Sequence, residues 1–262
     1  MKTASIPDRQ GEIDERNVPI DRVGVKDLRY PVEVRDRKFK TQHTVATFAM
    51  TVDLPKEFKG THMSRFVEIL NAHGRLVHTE NVVTMLGELQ KRLHAHTAHL
   101  TMEFPYFVEK EAPATGAKGQ VDYTARFETA AVGKEIDFVL TVIVPVTTLC
   151  PCSKAISARG AHNQRGYVTL SVRFSETVWI EELIELIEAS ASAPIYSLLK
   201  RPDEKHVTEQ AYDNPVFVED LVRNVAVRCN AHPRISWYKV EAENQESIHN
   251  HAAYAMVEKK KA

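Results

Sequence analysis

One order of apolar segments runs through the chain twice, and this constrains the fold more than any single motif. In the first half, Thr44 to Leu54 alternates as a strand and is closed by Pro55. Phe66, Ile69, Leu70 and His73 then mark one helical face, and Val82, Leu86, Leu89 and Leu93 a longer one. Leu100 to Val108 and Val121 to Phe127 alternate again, joined by the Pro/Gly-containing stretch Ala112 to Gly119. The second half repeats the order. Strands are expected at Ile136–Val146 and Val168–Phe174, and a helical stripe at Ile180, Ile184 and Ile187. A second helix through Leu221 and Val225 is expected to open on Asn214-Pro215, and strands near 235–242 and 252–258 end the series. An α+β chain of antiparallel sheets, with the helices on one face, follows from that order. The repeat lies in the elements and not in residue identity. It sets the expected domains: a charged, mobile arm over residues 1–24, a first module over 25–131 and a second over 132–262.

Composition excludes several classes. With 262 residues the chain can bury a large core, and its 34 basic and 35 acidic residues balance to a formal net charge of -1. No nucleic-acid or membrane surface is expected from that balance, and no apolar run approaches the roughly 20 residues needed to span a bilayer. Three cysteines cannot all pair, Cys150 and Cys152 are too close for an unstrained disulfide, and the polar N-terminus holds no apolar signal core. A cytoplasmic protein is expected.

The chemistry gathers at Leu149-Cys150-Pro151-Cys152-Ser153-Lys154 and Gly160-Ala161-His162-Asn163-Gln164-Arg165. A thiolate and an imidazole meeting at a strand end supply half of a divalent-metal site. Glu204, Glu219 and the run Glu246-Ser247-Ile248-His249-Asn250-His251 are candidates for the rest. If Cys-Pro-Cys is extended, its two thiols point to opposite sides, so Cys150 is the expected ligand and Cys152 a neighbour of metal or substrate. His249 and His251 share one side of an extended segment. Cys229 falls in a helical apolar pattern and reads as core, and His94, His96 and His99 read as a polar helix-to-strand junction. These residues point to metal-assisted hydrolysis without naming a substrate.

Together with Thr61-His62-Met63-Ser64-Arg65-Phe66, these motifs make the chain resemble the prokaryotic type IB GTP cyclohydrolase I family from about Asp27 to Val257. The resemblance implies the tunnelling fold: two modules, each a four-stranded antiparallel sheet with two helices on one face, assembled as a homotetramer with active sites between subunits. It implies conversion of GTP and water to 7,8-dihydroneopterin triphosphate and formate, the first step of tetrahydrofolate biosynthesis. Cys150, His162 and Glu204 would bind one catalytic divalent metal (zinc, manganese or iron), with no organic cofactor. Glu219 would anchor guanine, and Glu246, His249 and His251 would transfer protons beside Cys152. Arg65, Ser64 and His62 would bind substrate, Arg65 meeting the triphosphate; Lys154, Arg165 and Lys205 are further cations for it. Arg159 stands where the family carries an aromatic residue. Two rivals predict differently. A nitrile reductase of the queuosine pathway would use a nucleophilic cysteine and NADPH without metal. A non-catalytic purine- or pterin-binding module would bind without turnover.

Overall fold

The computed structural model describes residues 9–73, 76–77 and 79–261. It is α+β, mainly antiparallel, with six helices among the described residues, and it divides into two compact units. The first unit is Met1–Phe104 with Arg126–Phe138, and the second is Pro105–Ala125 with Val139–Ala262.

In the first unit, strands β1 (Ile20–Asp36) and β2 (Lys40–Leu54) form a hairpin. Asp36 turns it, its carboxylate accepting the Lys38 and Phe39 N–H groups at 2.8 and 2.6 Å and the Gln42 amide at 2.9 Å. Lys40 adopts φ +72°, the left-handed conformation that closes a tight turn. On β2, Ala46, Phe48, Met50, Val52 and Leu54 alternate inward. They share the core with Phe66, Ile69 and Leu70 of α1 (Met63–His73) and with Val82, Met85, Leu86 and Leu89 of α2 (Thr79–Leu93). The short β3 (Leu76–Val77) lies parallel to β1, and β4 (Thr97–Glu111) pairs antiparallel with β2. At Gly24 a Cβ would sit 2.0 Å from the Met50 carbonyl oxygen, so only glycine lets β1 approach β2 there.

β1 was not foreseen. Of the stretch read as an arm, residues 1–8 lie outside the described residues, and Ile20 to Gly24 belong to β1. Charged residues recur along this strand, and only Val32, Val34 and Asp36 of it are buried, so period-two alternation is weak.

In the second unit, β6 (Glu135–Leu149), β7 (Asn163–Phe174), β9 (Ile235–Gln245) and β10 (Ala252–Lys260) form an antiparallel series in the order β10-β9-β7-β6, entered after β5 (Lys118–Val132). The two-residue β8 (Ala193–Pro194) pairs with β6 at Val146 and Thr147. Val142, Val144, Val146, Val168, Leu170, Val172, Val240 and Ala242 are buried with Leu183, Ile184 and Ile187 of α4 (Ile180–Glu188). Leu221, Val222, Val225 and Cys229 of α6 (Val218–Ala231) complete that core.

Two further helices were missed. α3 (Pro151–Ile156) buries no residue, and α5 (Arg201–Asp213) buries only Asp203 and Ala211, so neither carries an apolar stripe. The expected N-cap at Asn214-Pro215 is corrected as well: Asn214 ends α5, and α6 is capped by Phe217.

Candidate active site

The strand β6 ends at a proline. Pro151 takes the first position of α3, where a missing N–H costs nothing, and Cys150 becomes the N-cap in extended conformation (φ -69°, ψ 116°). Its Sγ accepts the Ser153 N–H at 3.4 Å. Cys-Pro-Cys is therefore not extended as expected from sequence. Cys152 lies within the first helical turn, exposed, whereas Cys150 stays at the strand end, half-buried.

Two hydrogen bonds bring His162 to this end. The Cys150 N–H donates to the His162 carbonyl at 3.1 Å, and the His162 N–H donates to Ser153 Oγ at 3.0 Å. Gly160, at φ +78°, turns the intervening loop, and Arg159 is exposed within it. From the other side, His162 Nδ1 stands 3.5 Å from Ser247 Oγ and 4.0 Å from Glu246 Oε2, and the Gln164 amide donates to Glu246 Oε1 at 3.0 Å. The rings of His249 and His251 stack at 5.1 Å, 17° from parallel. The Val216 N–H donates to the Leu149 carbonyl at 3.0 Å, which holds the start of α6, and with it Glu219, against the end of β6.

Cys150, His162, Glu219, Glu246, His249 and His251 thus line one pocket of about 300 Å³, with Gln164, Asn244, Phe217 and Ala253. That size falls within the range of small-molecule sites. The arrangement offers a sulfur donor, imidazoles and two carboxylates, the groups needed to hold a cation and to move protons.

Other expected residues lie elsewhere. Glu204 is exposed on α5 and does not line the pocket, and neither does Cys152. Among the described residues, no three His, Cys, Asp or Glu side chains already form a metal cage. His62 and Arg65 line a separate pocket of the first unit with Thr61, Gln10 and His94, and Ser64 is exposed. Arg65 donates to the Arg92 carbonyl at 2.9 Å near the end of α2. Lys154 lies over the Tyr212 ring at 4.2 Å, and Lys205 pairs with Glu209 at 2.9 Å. Cys229 is core, its thiol pushed up to about 12 by burial. The His94–His99 region is a junction: His96 offers its carbonyl to the Gly133 N–H at 3.0 Å. Burial, with Arg22 nearby, lowers the His99 pKa against the pull of Asp53.

Sequence reasoning missed Gln164 and Asn244, which are 9% and 1% exposed. The available signal was the inward stripe itself. On β7 it reads Val172, Leu170, Val168 and then Gly166, Gln164; on β9 it reads Val240, Ala242 and then Asn244. An inward-facing stripe that turns polar at one end of a sheet marks a pocket.

Known proteins resemble this chain both in sequence and in fold. A family described as type I GTP cyclohydrolase folE2 matches residues 6–255. A GTP cyclohydrolase FolE2 of Akkermansia muciniphila is 60% identical over 257 residues, 97% of each chain. One of Methylococcus capsulatus is 58% identical over 262 residues, 98% of this chain and 96% of that one. Among solved structures, a urate oxidase of Bacillus sp. TB-90 superposes with a TM-score of 0.56 at 10% identity, covering 92% of this chain and all of that one. Urate oxidase from Bacillus subtilis gives 0.54 at 9% identity, over 91% and 98%. At such identities the likeness is one of fold.

Proposed function

The chain belongs to the type I GTP cyclohydrolase FolE2 family, and we propose that it opens the guanine imidazole ring of GTP in the pocket of Cys150, His162, Glu219, Glu246, His249 and His251. The products are 7,8-dihydroneopterin triphosphate and formate, in the first step of tetrahydrofolate biosynthesis. The observation that carries the site is convergence: four separate stretches of sequence place their proton-transfer and ligand-type side chains in one cavity. The reductase and binding-module readings give way to this one.

The donors suit a divalent metal, whether zinc, manganese or iron. The Ser153 N–H is directed at Cys150 Sγ, and Ser247 and Glu246 beside Nδ1 orient the His162 ring. Cys150 and His162 would hold the metal, with Glu204 the third ligand by resemblance. When bound, it would supply Lewis acidity, lowering the pKa of water at the site toward neutrality.

The chain's own residues do the rest. Glu219 accepts the ring N–H and exocyclic amine of guanine, since a carboxylate offers two acceptors side by side. His249 or His251 gives a proton to the imidazole nitrogen that leaves carbon 8, and Glu246 exchanges protons as formate departs. By resemblance Cys152 of α3 would also stand beside this chemistry, although it lies outside the pocket.

We read the fold as two tunnelling-fold modules of four strands and two helices, over about 25–131 and 132–262, with α3 and α5 added to the second. A homotetramer with active sites between subunits would supply residues that this pocket lacks; Glu204, Arg65, Ser64 and His62 are the candidates. Among the described residues no helix is long and apolar enough to cross a membrane. The substrate's chemistry suits the cytoplasm.

The test is direct. Metal-stripped protein given GTP with manganese or zinc should release formate and a product that oxidises to a fluorescent pterin. Glu219→Ala should raise the KM for GTP roughly tenfold or more while metal content stays normal. Turnover without metal, or metal loss in that variant, would contradict the assignments.

A further inference from the structure

Three buried side-chain oxygens at one end of the β6–β7–β9 sheet have no hydrogen-bond partner among the described residues: Thr148 Oγ1, Gln164 Oε1 and Asn244 Oδ1. They share a face. Thr148 stands opposite Gln164, and the next row inward is Val146, Gly166 and Asn244. Gln164 and Asn244 line the pocket. A buried oxygen without a donor keeps its desolvation cost unmet, so two on one cavity floor mark a surface shaped for a ligand that brings N–H or O–H groups.

Of the two that line the pocket, Asn244 is the more deeply set, and its Oδ1 lies over Gly166, where an added Cβ would come within 2.7 Å of it. Glycine at 166 therefore keeps open the seat of this amide. From the Val146 row to Cys150 is four strand residues, roughly 13 Å. A purine with a hydrogen bond at its far end and a reacting carbon 8 at the other spans a comparable length.

We infer that Asn244 is a specificity-determining residue, whose Oδ1 accepts the second N–H of the exocyclic 2-amino group of guanine. The inference rests on the proposed GTP site and follows from a donor count. The pyrimidine edge of guanine carries three N–H bonds, one on the ring nitrogen and two on the amine. The Glu219 carboxylate pairs with the ring N–H and one amine N–H. The remaining amine N–H would be buried unsatisfied unless another acceptor met it, and Asn244 is an acceptor already buried without a donor. A hypoxanthine nucleotide lacks the amine and leaves Asn244 unsatisfied, so the site discriminates against it.

The experiment compares the metal-loaded full-length enzyme and its variants by the KM for GTP and the inhibition constant of ITP against GTP turnover. Wild type should bind GTP more tightly than ITP. Asn244→Ala should raise the KM for GTP roughly tenfold, leave the ITP constant within twofold and change kcat little. Asn244→Asp, which keeps the acceptor, should preserve the preference. Should Asn244→Ala not fold, Gly166→Ala pushes a methyl into the place of Oδ1 and must produce the same one-sided shift. Glu219→Ala should raise both constants, because inosine shares the ring N–H. If GTP is turned over and Glu219→Ala behaves this way, yet Asn244→Ala moves both constants together or neither, this inference is overturned and the proposed function stands. If wild type turns over no GTP, both fall.

Discussion

Two polar clusters of the second unit treat their buried groups in opposite ways. Around Lys110, the ammonium meets Glu188 at 2.7 Å and the Ile195 carbonyl at 2.9 Å, and lies 4.4 Å from the Tyr196 ring centre. The Tyr123 hydroxyl donates to the same Glu188 oxygen at 2.7 Å. Burial pulls the Lys110 pKa down against the attraction of Glu188 and pushes that of Tyr123 up. Lys110, Tyr123 and Glu188 thus answer one another. At the Cys150 pocket, by contrast, Gln164 and Asn244 present buried oxygens that nothing in the described chain answers. Both clusters hold carboxylates in a concavity, but only at the Cys150 pocket are side-chain amides of neighbouring strands left unanswered. A pair of unmet amide acceptors marks a site better than charge density does.

The largest expected effect would break this contrast at the pocket. Cys150→Ala should abolish formate release by roughly a thousandfold or more and remove bound metal with it, since the Lewis acid is worth several kcal/mol of barrier. Metal analysis beside the formate assay checks this, and a fully active, metal-replete variant would reverse the assignment. Next comes the Lys110 cluster. Lys110→Met leaves Glu188 buried without its cation and should destabilise the fold by about 3 kcal/mol in urea unfolding, with kcat unchanged. A lost kcat at unchanged stability would make that cluster part of the site. The smallest effect concerns Asp203, which accepts N–H groups from Ala114, Thr115 and Lys200 at 2.8, 2.8 and 2.9 Å and the Thr115 hydroxyl at 2.7 Å. Burial opposes, but these bonds hold its pKa at about 2, below the ordinary 3.8. A lowered carboxylate pKa stabilises the fold above pH 4 and ceases to as pH falls from about 4 toward 2. Asp203→Asn should flatten the stability profile in that window, as thermal melts from pH 5 to 2 would show.

The sequence was readable where one signal decides. Period-two stripes such as Val142-Val144-Val146 and the spacing of Leu221, Val222 and Val225 placed strands and helices because each buries a clean face. β1 and α5 were not readable, since charged residues interrupt the one and the other has almost no buried stripe. At the site, thiol and imidazole chemistry singled out Cys150, His162, His249 and His251, and the structure lines one pocket with all four. Gln164 and Asn244 carry no such signature. An amide gains meaning only when neighbouring strands fix its depth, and that is a property of register across β7 and β9 rather than of local composition.

The closing rung between β6 and β7, the Cys150 amide on the His162 carbonyl, ties a backbone proton to the reactive centre. Its solvent-exchange rate therefore becomes a spectroscopic gauge of whether the loop from 157 to 162 is seated, readable without nucleotide or turnover. Fraying of that one edge would part sulfur from imidazole before the sheet itself came undone.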